Sequence, residues 1–311
     1  MNNLKKVGLT ALGTALVASS AQAADFSMSA TTQITLAGAD NGNKGNGWSM
    51  SDSISFTASG EMDNGMTVTH LVELDGSAGV GANTIKIDTG DMGSLTFVGG
   101  SSTSVIGLWD DLTPSANEES WGVGYAGTPD GMANGSATTH GIFTYDYTLM
   151  DGLAIKAGYT PSHTTGAVDG SSDIGIHYTG VENLDVYAAL GENNNASNAA
   201  DVSALAIKYT RGAISVGYQV NETDFGTGTA DEDATMVGVS YAVSDDLSLS
   251  VNTSTIDYEA TSKDDQEAQS VSFSHTSGGM TISGSYGSMD NVAGTSTADN
   301  SAYEINFKFA F

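Results

Sequence analysis

Four carboxylates stand close together in one long stretch of the chain, residues 101–138, which carries Asp110, Asp111, Glu118 and Glu119. Carboxylate oxygens are good ligands for hard cations such as Ca²⁺, and carboxylates along a water-filled path favour the passage of cations. Calcium at these four residues is the one cofactor that the sequence leaves open. The alternative is that the carboxylates are solvated and bind no metal.

Histidine is the other residue type that could do chemistry, and the five histidines are scattered along the chain. They are His70, His140, His163, His177 and His275. None stands in a nucleophile signature such as G-x-S-x-G, and the chain has no cysteine for disulfides or thiolate metal sites. Because an isolated histidine in a strand is more often structural than catalytic, the sequence predicts that the protein is not an enzyme.

The first 23 residues have the layout of a secretory signal peptide. The basic start MNNLKK is followed by the apolar run VGLTALGTALVASS and by AQA, which has the small-x-small form of a cleavage site. The alternative is a membrane anchor, but the apolar run is shorter than the roughly 20 residues that a spanning helix needs. We therefore predict a signal peptide over residues 1–23 and a mature chain over residues 24–311.

The charge of the chain is strongly negative, with 37 acidic residues against nine Lys and Arg. Two of those nine, Lys5 and Lys6, fall in the predicted signal peptide, which leaves the mature chain a formal charge of about −30. Such a surface repels nucleic acid and concentrates cations, so nucleic acid is not an expected partner. Disorder is not expected either, because only 15% of the residues are charged and apolar residues recur with a regular period.

The apolar residues recur with a period of two along almost the whole chain. The segment FSMSATTQITLAG places Phe26, Met28, Ala30, Ile34 and Leu36 on one face. The closing segment SAYEINFKFAF places its aromatic residues on one face and Glu304, Asn306 and Lys308 on the other. Because successive side chains of a strand point to opposite faces, this pattern predicts an all-β chain.

The connections between these strands alternate strictly in length. Seven short ones are rich in Gly, Asn and Asp and lie near 61–65, 89–93, 148–152, 179–183, 210–212, 244–246 and 276–279. Eight longer ones lie near 37–47, 76–82, 101–138, 161–172, 191–200, 221–233, 259–268 and 290–300. Fifteen connections predict sixteen strands, with all the short turns on one side.

This alternation is typical of a transmembrane antiparallel β-barrel with short turns on one side of the membrane and long loops on the other. The alternating apolar side chains would contact outer-membrane lipid. Because no backbone edge can face hydrocarbon without a partner, the last strand is expected to pair with the first.

In layout the mature chain resembles the trimeric general porins of the bacterial outer membrane, of the alphaproteobacterial type. The resemblance is most specific in the terminal Phe311, in DTGDMGSLTFVGG (Asp88–Gly100) and in the long third connection that follows. It implies a homotrimer in the bacterial cell outer membrane, with the third loop folded into the lumen as a constriction. Small residues such as Ala30, Ala58 and Gly60 could form the subunit contact.

The third connection also contains apolar side chains that require burial, including Trp109 and Trp121. A loop that lies against the inner wall would bury them and project Asp110, Asp111, Glu118 and Glu119 into the channel as its constriction. The alternative is that this loop packs on an external rim or at a subunit contact.

Strand parity predicts which charged residues line the wall of the lumen. They are Lys86, Lys156, Lys208, Lys308, Glu73, Asp146, Asp185 and Glu304. The resemblance implies an arginine-rich wall, from which this chain departs because its single arginine, Arg211, stands in a short turn. We therefore predict passive diffusion of small hydrophilic solutes and ions through a cation-preferring pore. The alternatives are a substrate-specific outer-membrane channel with a saturable solute site, and an adhesin.

Overall fold

The structure of the chain, a computed structural model, describes residues 25–40, 46–76, 79–99, 104–125, 141–162, 169–194, 199–226 and 231–311. The predicted signal peptide lies outside the described residues, as do His140, His163 and both ends of the stretch 101–138.

The described residues form sixteen antiparallel strands, which confirms the predicted all-β barrel. The strands are β1 (Asp25–Ala39), β2 (Trp48–Glu61), β3 (Thr67–Asp75), β4 (Gly79–Asp88), β5 (Ser94–Val98), β6 (Ile142–Met150), β7 (Leu153–Thr160), β8 (Ser171–Val181), β9 (Leu184–Asn193), β10 (Ala200–Arg211), β11 (Ile214–Phe225), β12 (Glu232–Ala242), β13 (Leu247–Tyr258), β14 (Gln266–Ser277), β15 (Met280–Asp290) and β16 (Asn300–Ala310). Each strand pairs with its neighbours in sequence. The short and long connections alternate as predicted except between β3 and β4. The predicted long connection 76–82 is wrong there, because residues 79–82 belong to β4 and only residues 76–78 join the two strands.

The barrel closes where β1 pairs with β16, in a register that runs from Thr31 opposite Ala310 to Ala39 opposite Ala302. The last residue takes part, because the Phe311 amide donates to the Ala30 carbonyl oxygen at 2.9 Å. Closure leaves no strand edge unpaired, as a barrel in hydrocarbon requires.

The short turns use residues that tolerate a left-handed backbone. Gly152 between β6 and β7 has φ 75°, and Asn183 between β8 and β9 has φ 65°. Glycine has no Cβ to clash at such angles, and asparagine is one of the few other residues that adopt them readily.

The wall has two chemically distinct faces, called here the apolar face and the polar face. The apolar face carries exposed large side chains, for example Phe26, Tyr159 and Val251. The polar face carries Ser, Thr, Asn and Gln, and there Gln219 and Asn252 are no more than 1% exposed. Because these side chains are buried, another part of the chain must cover the polar face at these positions. That part must also supply the hydrogen-bond partners that buried amide groups need.

The cover is supplied by the third long connection, which holds the one α-helix of the described residues, α1 (Val105–Trp109). Ser104 caps this helix, since its side-chain oxygen accepts a hydrogen bond from the Gly107 amide at 3.1 Å. Among the described residues, no helix is long and apolar enough to cross a membrane.

Candidate pore constriction

Residues 104–125, called here the L3 segment, lie against the polar face of the wall. At the start of the segment, Val105 and Ile106 of α1 are fully buried and pack with Ala189 on β9 and Ala204 on β10. The Ile106 amide donates to Asp173 Oδ2 on β8 at 3.2 Å. The helix is thus attached to the wall by both apolar packing and a charge-assisted hydrogen bond.

An aromatic cluster follows at the end of α1. The Trp109 ring lies over Gly175 on β8, where an added Cβ would stand 2.1 Å from a ring carbon. Its edge meets Tyr187 on β9 with the ring centroids 5.4 Å apart, and Tyr187 stacks on His177 at 4.0 Å. Of the described histidines, His177 alone lies on the polar face of the wall, since the register places His70 and His275 on the apolar face.

The middle of the L3 segment is held by side-chain amides. Gln219 on β11 donates to the Trp109 carbonyl oxygen at 2.7 Å and accepts from the Leu112 amide at 2.8 Å. Asn221 on β11 donates to the Asp110 carbonyl oxygen at 2.8 Å, and Asn252 on β13 donates to that of Pro114 at 3.0 Å. These bonds use backbone groups of an irregular segment that would otherwise be buried without partners.

The second half of the segment reaches the last strands of the barrel. The Asn117 side-chain amide donates to Glu304 Oε1 on β16 at 2.7 Å and to Ser285 Oγ on β15 at 2.9 Å. Ser272 on β14 donates to the Glu118 carbonyl oxygen at 2.9 Å. Further along, Val123 and Tyr125 are buried among the side chains of Ala268, Met289, Val292 and Ala302.

The four predicted constriction carboxylates all lie on the L3 segment and are partly exposed. Burial, together with the neighbouring Asp111, raises the pKa of Asp110 to about 7. Burial raises the pKa of Glu118 to about 7 as well, with further contributions from Glu304 and Asp111. Both groups therefore change charge near neutral pH, unlike ordinary carboxylates.

Asp111 and Glu119 form a hydrogen-bonded pair of carboxyl groups. Burial raises the pKa of both, and the negative charge of Asp111 helps to bring the pKa of Glu119 to about 8. No Lys or Arg in the described part of the chain forms an ion pair with any of the four carboxylates. The L3 segment therefore carries four carboxyl groups that no described Lys or Arg neutralises.

The four predicted wall lysines all belong to the polar face by register. Lys156 on β7 forms an ion pair with Asp146 on β6. Lys208 on β10 stands opposite Asp185 on β9. Lys86 stands opposite Thr69 and Thr96, which are neutral. Lys308 stands opposite Gln33 and Thr281, which are also neutral.

The four predicted wall carboxylates also belong to the polar face, and each has a partner. Asp146 is paired with Lys156, and Asp185 Oδ1 lies 2.9 Å from His177 Nε2. Glu73 accepts a hydrogen bond from Ser53, and Glu304 accepts one from Asn117 at 2.7 Å. The predicted wall residues include four lysines and four carboxylates, so their formal charges cancel. The net charge of the wall residues and the L3 carboxylates together is therefore set by the L3 segment.

The structure does not gather these acids into a metal site: within the described ranges, no three His, Asp or Glu side chains are arranged to hold a metal ion. Calcium binding at Asp110, Asp111, Glu118 and Glu119 stays a prediction.

The residues that hold the L3 segment in place are not among those that the sequence predicted. They are Asp173, Gln219, Asn221, Asn252 and Asn117. A signal for three of them was present, because Gln219, Asn221 and Asn252 are large amides at polar positions among Ser and Gly. Strand parity predicts that such a side chain points to the polar face. It does not predict which backbone group the side chain will bond.

The closed antiparallel barrel, its exposed apolar face and its polar opposite face define the class of membrane-spanning β-barrel channels. The family model described as Gram-negative porin matches residues 8–311, so the chain belongs to the Gram-negative porin family. It is an outer-membrane protein of bacteria, with its apolar face toward lipid, and its class consists of channels rather than enzymes. Among curated protein sequences, none matches the chain.

Solved structures with the same fold include porins from several bacteria. An anion-selective porin from Comamonas acidovorans has a TM-score of 0.72 at 13% identity, over 93% of this chain and 100% of that one. OmpT of Vibrio cholerae, in a trimer form, has a TM-score of 0.66 at 16% identity, over 93% and 100%. A mutant of the Rh. blastica porin has a TM-score of 0.66 at 16% identity, over 92% and 100%. At these identities the likeness shows the fold alone.

Proposed function

We propose that this porin is a water-filled, cation-preferring pore for passive diffusion of small hydrophilic solutes, narrowed by the L3 segment within the lumen. The observation that carries the proposal is the group of four carboxylates on that segment, with no ion-pair partner among the described lysines and arginine. Acidic groups along a pore attract cations and repel anions.

The position of the L3 segment inside the barrel is supported by the length of its path. Ile106 contacts β8 and Asn117 contacts β16, which are eight strand spacings apart around the wall. At ~4.8 Å per spacing the wall arc is about 38 Å even without strand tilt. The chain between these two residues, part of it helical, spans at most about 32 Å. The outer surface would need a path longer than this arc, whereas a path across the lumen is shorter than the arc, so the length of the segment favours the concave side.

The test is the reversal potential of single channels in a planar bilayer under a KCl gradient. We expect a potential of the sign that marks K⁺ as the more permeant ion. Replacing the four carboxylates together, with Asp110→Asn, Asp111→Asn, Glu118→Gln and Glu119→Gln, is expected to move the potential toward zero. A matched control replaces Asp63 and Asp91, exposed in short turns, by Asn. Preference of the wild type for chloride would refute the proposal.

A second candidate is a channel with a saturable solute site, which one cavity in the structure favours. A hollow of about 580 Å³ on the polar face is lined by Trp109, His177, Asp146 and Lys156, among others. An aromatic ring beside groups of both charges is suited to a small polar solute with an apolar part. Concentration-dependent block of the current by one solute would favour this candidate, whereas ohmic current unaffected by solutes would favour general diffusion.

The proposed assembly is a homotrimer. Ala30, Ala58 and Gly60 lie on the apolar face of β1 and β2, where Ala30 stands opposite Ile54, and Phe26 opposite Ala58. An added Cβ at Gly60 would meet no atom within 4 Å, so the surface there is open to a neighbour. The similar Vibrio cholerae OmpT structure is of a trimer form. Chemical crosslinking of the purified protein in detergent tests the assembly, and a monomer at all concentrations would refute it.

A further inference from the structure

The hollow of about 580 Å³ beside Trp109 has an ordered arrangement of charge along one row of the wall. The register places Ser94 on β5 between Asp88 on β4 and Asp146 on β6. Asp146 in turn stands opposite Lys156 on β7, and all four residues line the hollow. Because neighbouring strands are ~4.8 Å apart, the row changes from acid to base between one strand and the next.

The charged groups of this row are held in place before any solute arrives. Lys156 forms an ion pair with Asp146, and Asp88 Oδ1 accepts a hydrogen bond from the Gly90 amide at 2.9 Å. No described Lys or Arg forms an ion pair with Asp88, so the row carries one more acid than base. The small side chain of Ser94 leaves space between the two carboxylates. Groups that are already ordered bind a solute at a lower entropy cost.

The basic end of the row meets an aromatic ring. Lys156 stands opposite Gly175 on β8, and the Trp109 ring lies over that glycine. Ala154, two residues from Lys156 along β7, also lines the hollow and stands opposite His177. An alanine side chain is too small to fill this space. The hollow therefore has room for an apolar group beside the Trp109 ring, and its volume lies in the range of ligand-binding sites.

We propose that this hollow binds a small zwitterion of the α-amino-acid type with an apolar side chain. The carboxylate of the solute lies at Lys156, and its side chain packs beside Trp109. Its ammonium group lies over Ser94, between Asp88 and Asp146. Such a solute carries both charges on one carbon atom, which matches an acid and a base on neighbouring strands. The inference rests on the proposed function, because a solute reaches the hollow through a water-filled lumen.

Two other classes of solute fit the hollow less well. An organic anion is attracted to Lys156 but is repelled by Asp88 and Asp146, and also by the carboxylates of the L3 segment. An organic cation is attracted to the two carboxylates but is repelled by Lys156. Of the three classes, only the zwitterion places an opposite charge at both the acidic and the basic part of the row.

The test applies four matched solutes to single channels in a planar bilayer at pH 7. Leucine is a zwitterion with an apolar side chain. Relative to leucine, 3-methylbutylamine lacks the carboxylate, 4-methylpentanoate lacks the amine, and glycine lacks the side chain. We expect leucine to block the current at a concentration about tenfold lower than any of the other three, because each of them loses one of the contacts.

The site variant is Asp146→Asn/Lys156→Gln, which removes both charges of the ion pair and leaves the net charge of the lumen unchanged. The matched control is Glu232→Gln/Lys263→Gln, which removes an ion pair on the long-connection side, with Lys263 Nζ 3.8 Å from Glu232 Oε1. Neither control residue lines the hollow. An ohmic single-channel current will establish that each variant is folded. We expect the site variant to lose the block by leucine and the control to keep it.

The proposal is overturned if leucine does not block the wild type, if 3-methylbutylamine blocks as strongly as leucine, or if the site variant is blocked as strongly as the wild type. The reversal potential without solute is measured on the same channels. A cation-preferring channel that leucine does not block would overturn this inference and leave the proposed function intact. A chloride-preferring channel that leucine blocks would refute the cation preference and support the zwitterion site.

Discussion

The cation preference of this porin is expected to increase between pH 6 and pH 8. The groups responsible are Asp110 and Glu118, whose pKa values are each raised to about 7 by burial and by neighbouring acids. The groups that face them are also acids, namely Asp111, Glu119 and Glu304. The other wall groups that bond the segment are neutral Ser, Asn and Gln side chains and the carboxylate of Asp173. Raising the pH therefore adds negative charge with little compensation.

The magnitude follows from these two pKa values. With a pKa near 7, each carboxyl is about 10% ionised at pH 6 and about 90% ionised at pH 8. The pair thus gains roughly 1.6 negative charges, and ionisation of the Asp111–Glu119 pair adds to this change in the same direction. Carboxyls with ordinary pKa values near 4 would be almost fully charged throughout, and the selectivity would then not depend on pH in this range.

The assay is the reversal potential under a tenfold KCl gradient, for which ideal cation selectivity corresponds to about 59 mV. We expect the wild-type potential to move toward this limit between pH 6 and pH 8, and that of Asp110→Asn/Glu118→Gln to be nearly constant. The control Asp63→Asn/Asp91→Asn should behave as the wild type. A wild-type potential that is independent of pH would show that these carboxyls are ordinary, and the reasoning from burial would then be wrong.

Four further outcomes are expected. First, the packed L3 segment holds protons on Asp110 and Glu118 that the unfolded chain would release at lower pH, because the pKa of both groups is raised. The packing should therefore be most stable below about pH 4 and should weaken as the pH rises through about 7. Hydrogen exchange of the segment's amides measures this change. Second, Gln219→Leu should cost about 1–3 kcal/mol by leaving the Trp109 carbonyl and Leu112 amide without partners, and it should raise the conductance, whereas the exposed Gln269→Leu should not. Third, Gly175→Val should displace Trp109, whose ring carbon lies 2.1 Å from the position of an added Cβ; a red shift of tryptophan fluorescence would report this, with Gly60→Val as the control. Fourth, Ala58→Trp should weaken trimer crosslinking while Ala157→Trp, on β7, does not, and equal crosslinking would place the subunit contact elsewhere.

The strands and their order were predictable because lipid imposes a simple rule on the sequence. Every second residue of a strand must suit hydrocarbon, so Phe26, Tyr218 and Val271 reveal their face without any knowledge of their neighbours. The attachment of the L3 segment was not predictable in this way. The bond between Gln219 and Leu112 joins residues 107 positions apart, and no local pattern specifies which backbone amide a buried side chain will meet.

The sequence by itself determined the period of two, the alternation of short and long connections and the excess of acid, and these define a membrane barrel with an acidic loop. Only the tertiary structure decided where that acid lies and how readily it ionises. The pKa of Glu118 depends on burial against β14 and β15 and on Glu304 from the last strand. Such a shift in pKa arises from desolvation and from charges that are close only in space, so the order of residues alone does not determine it.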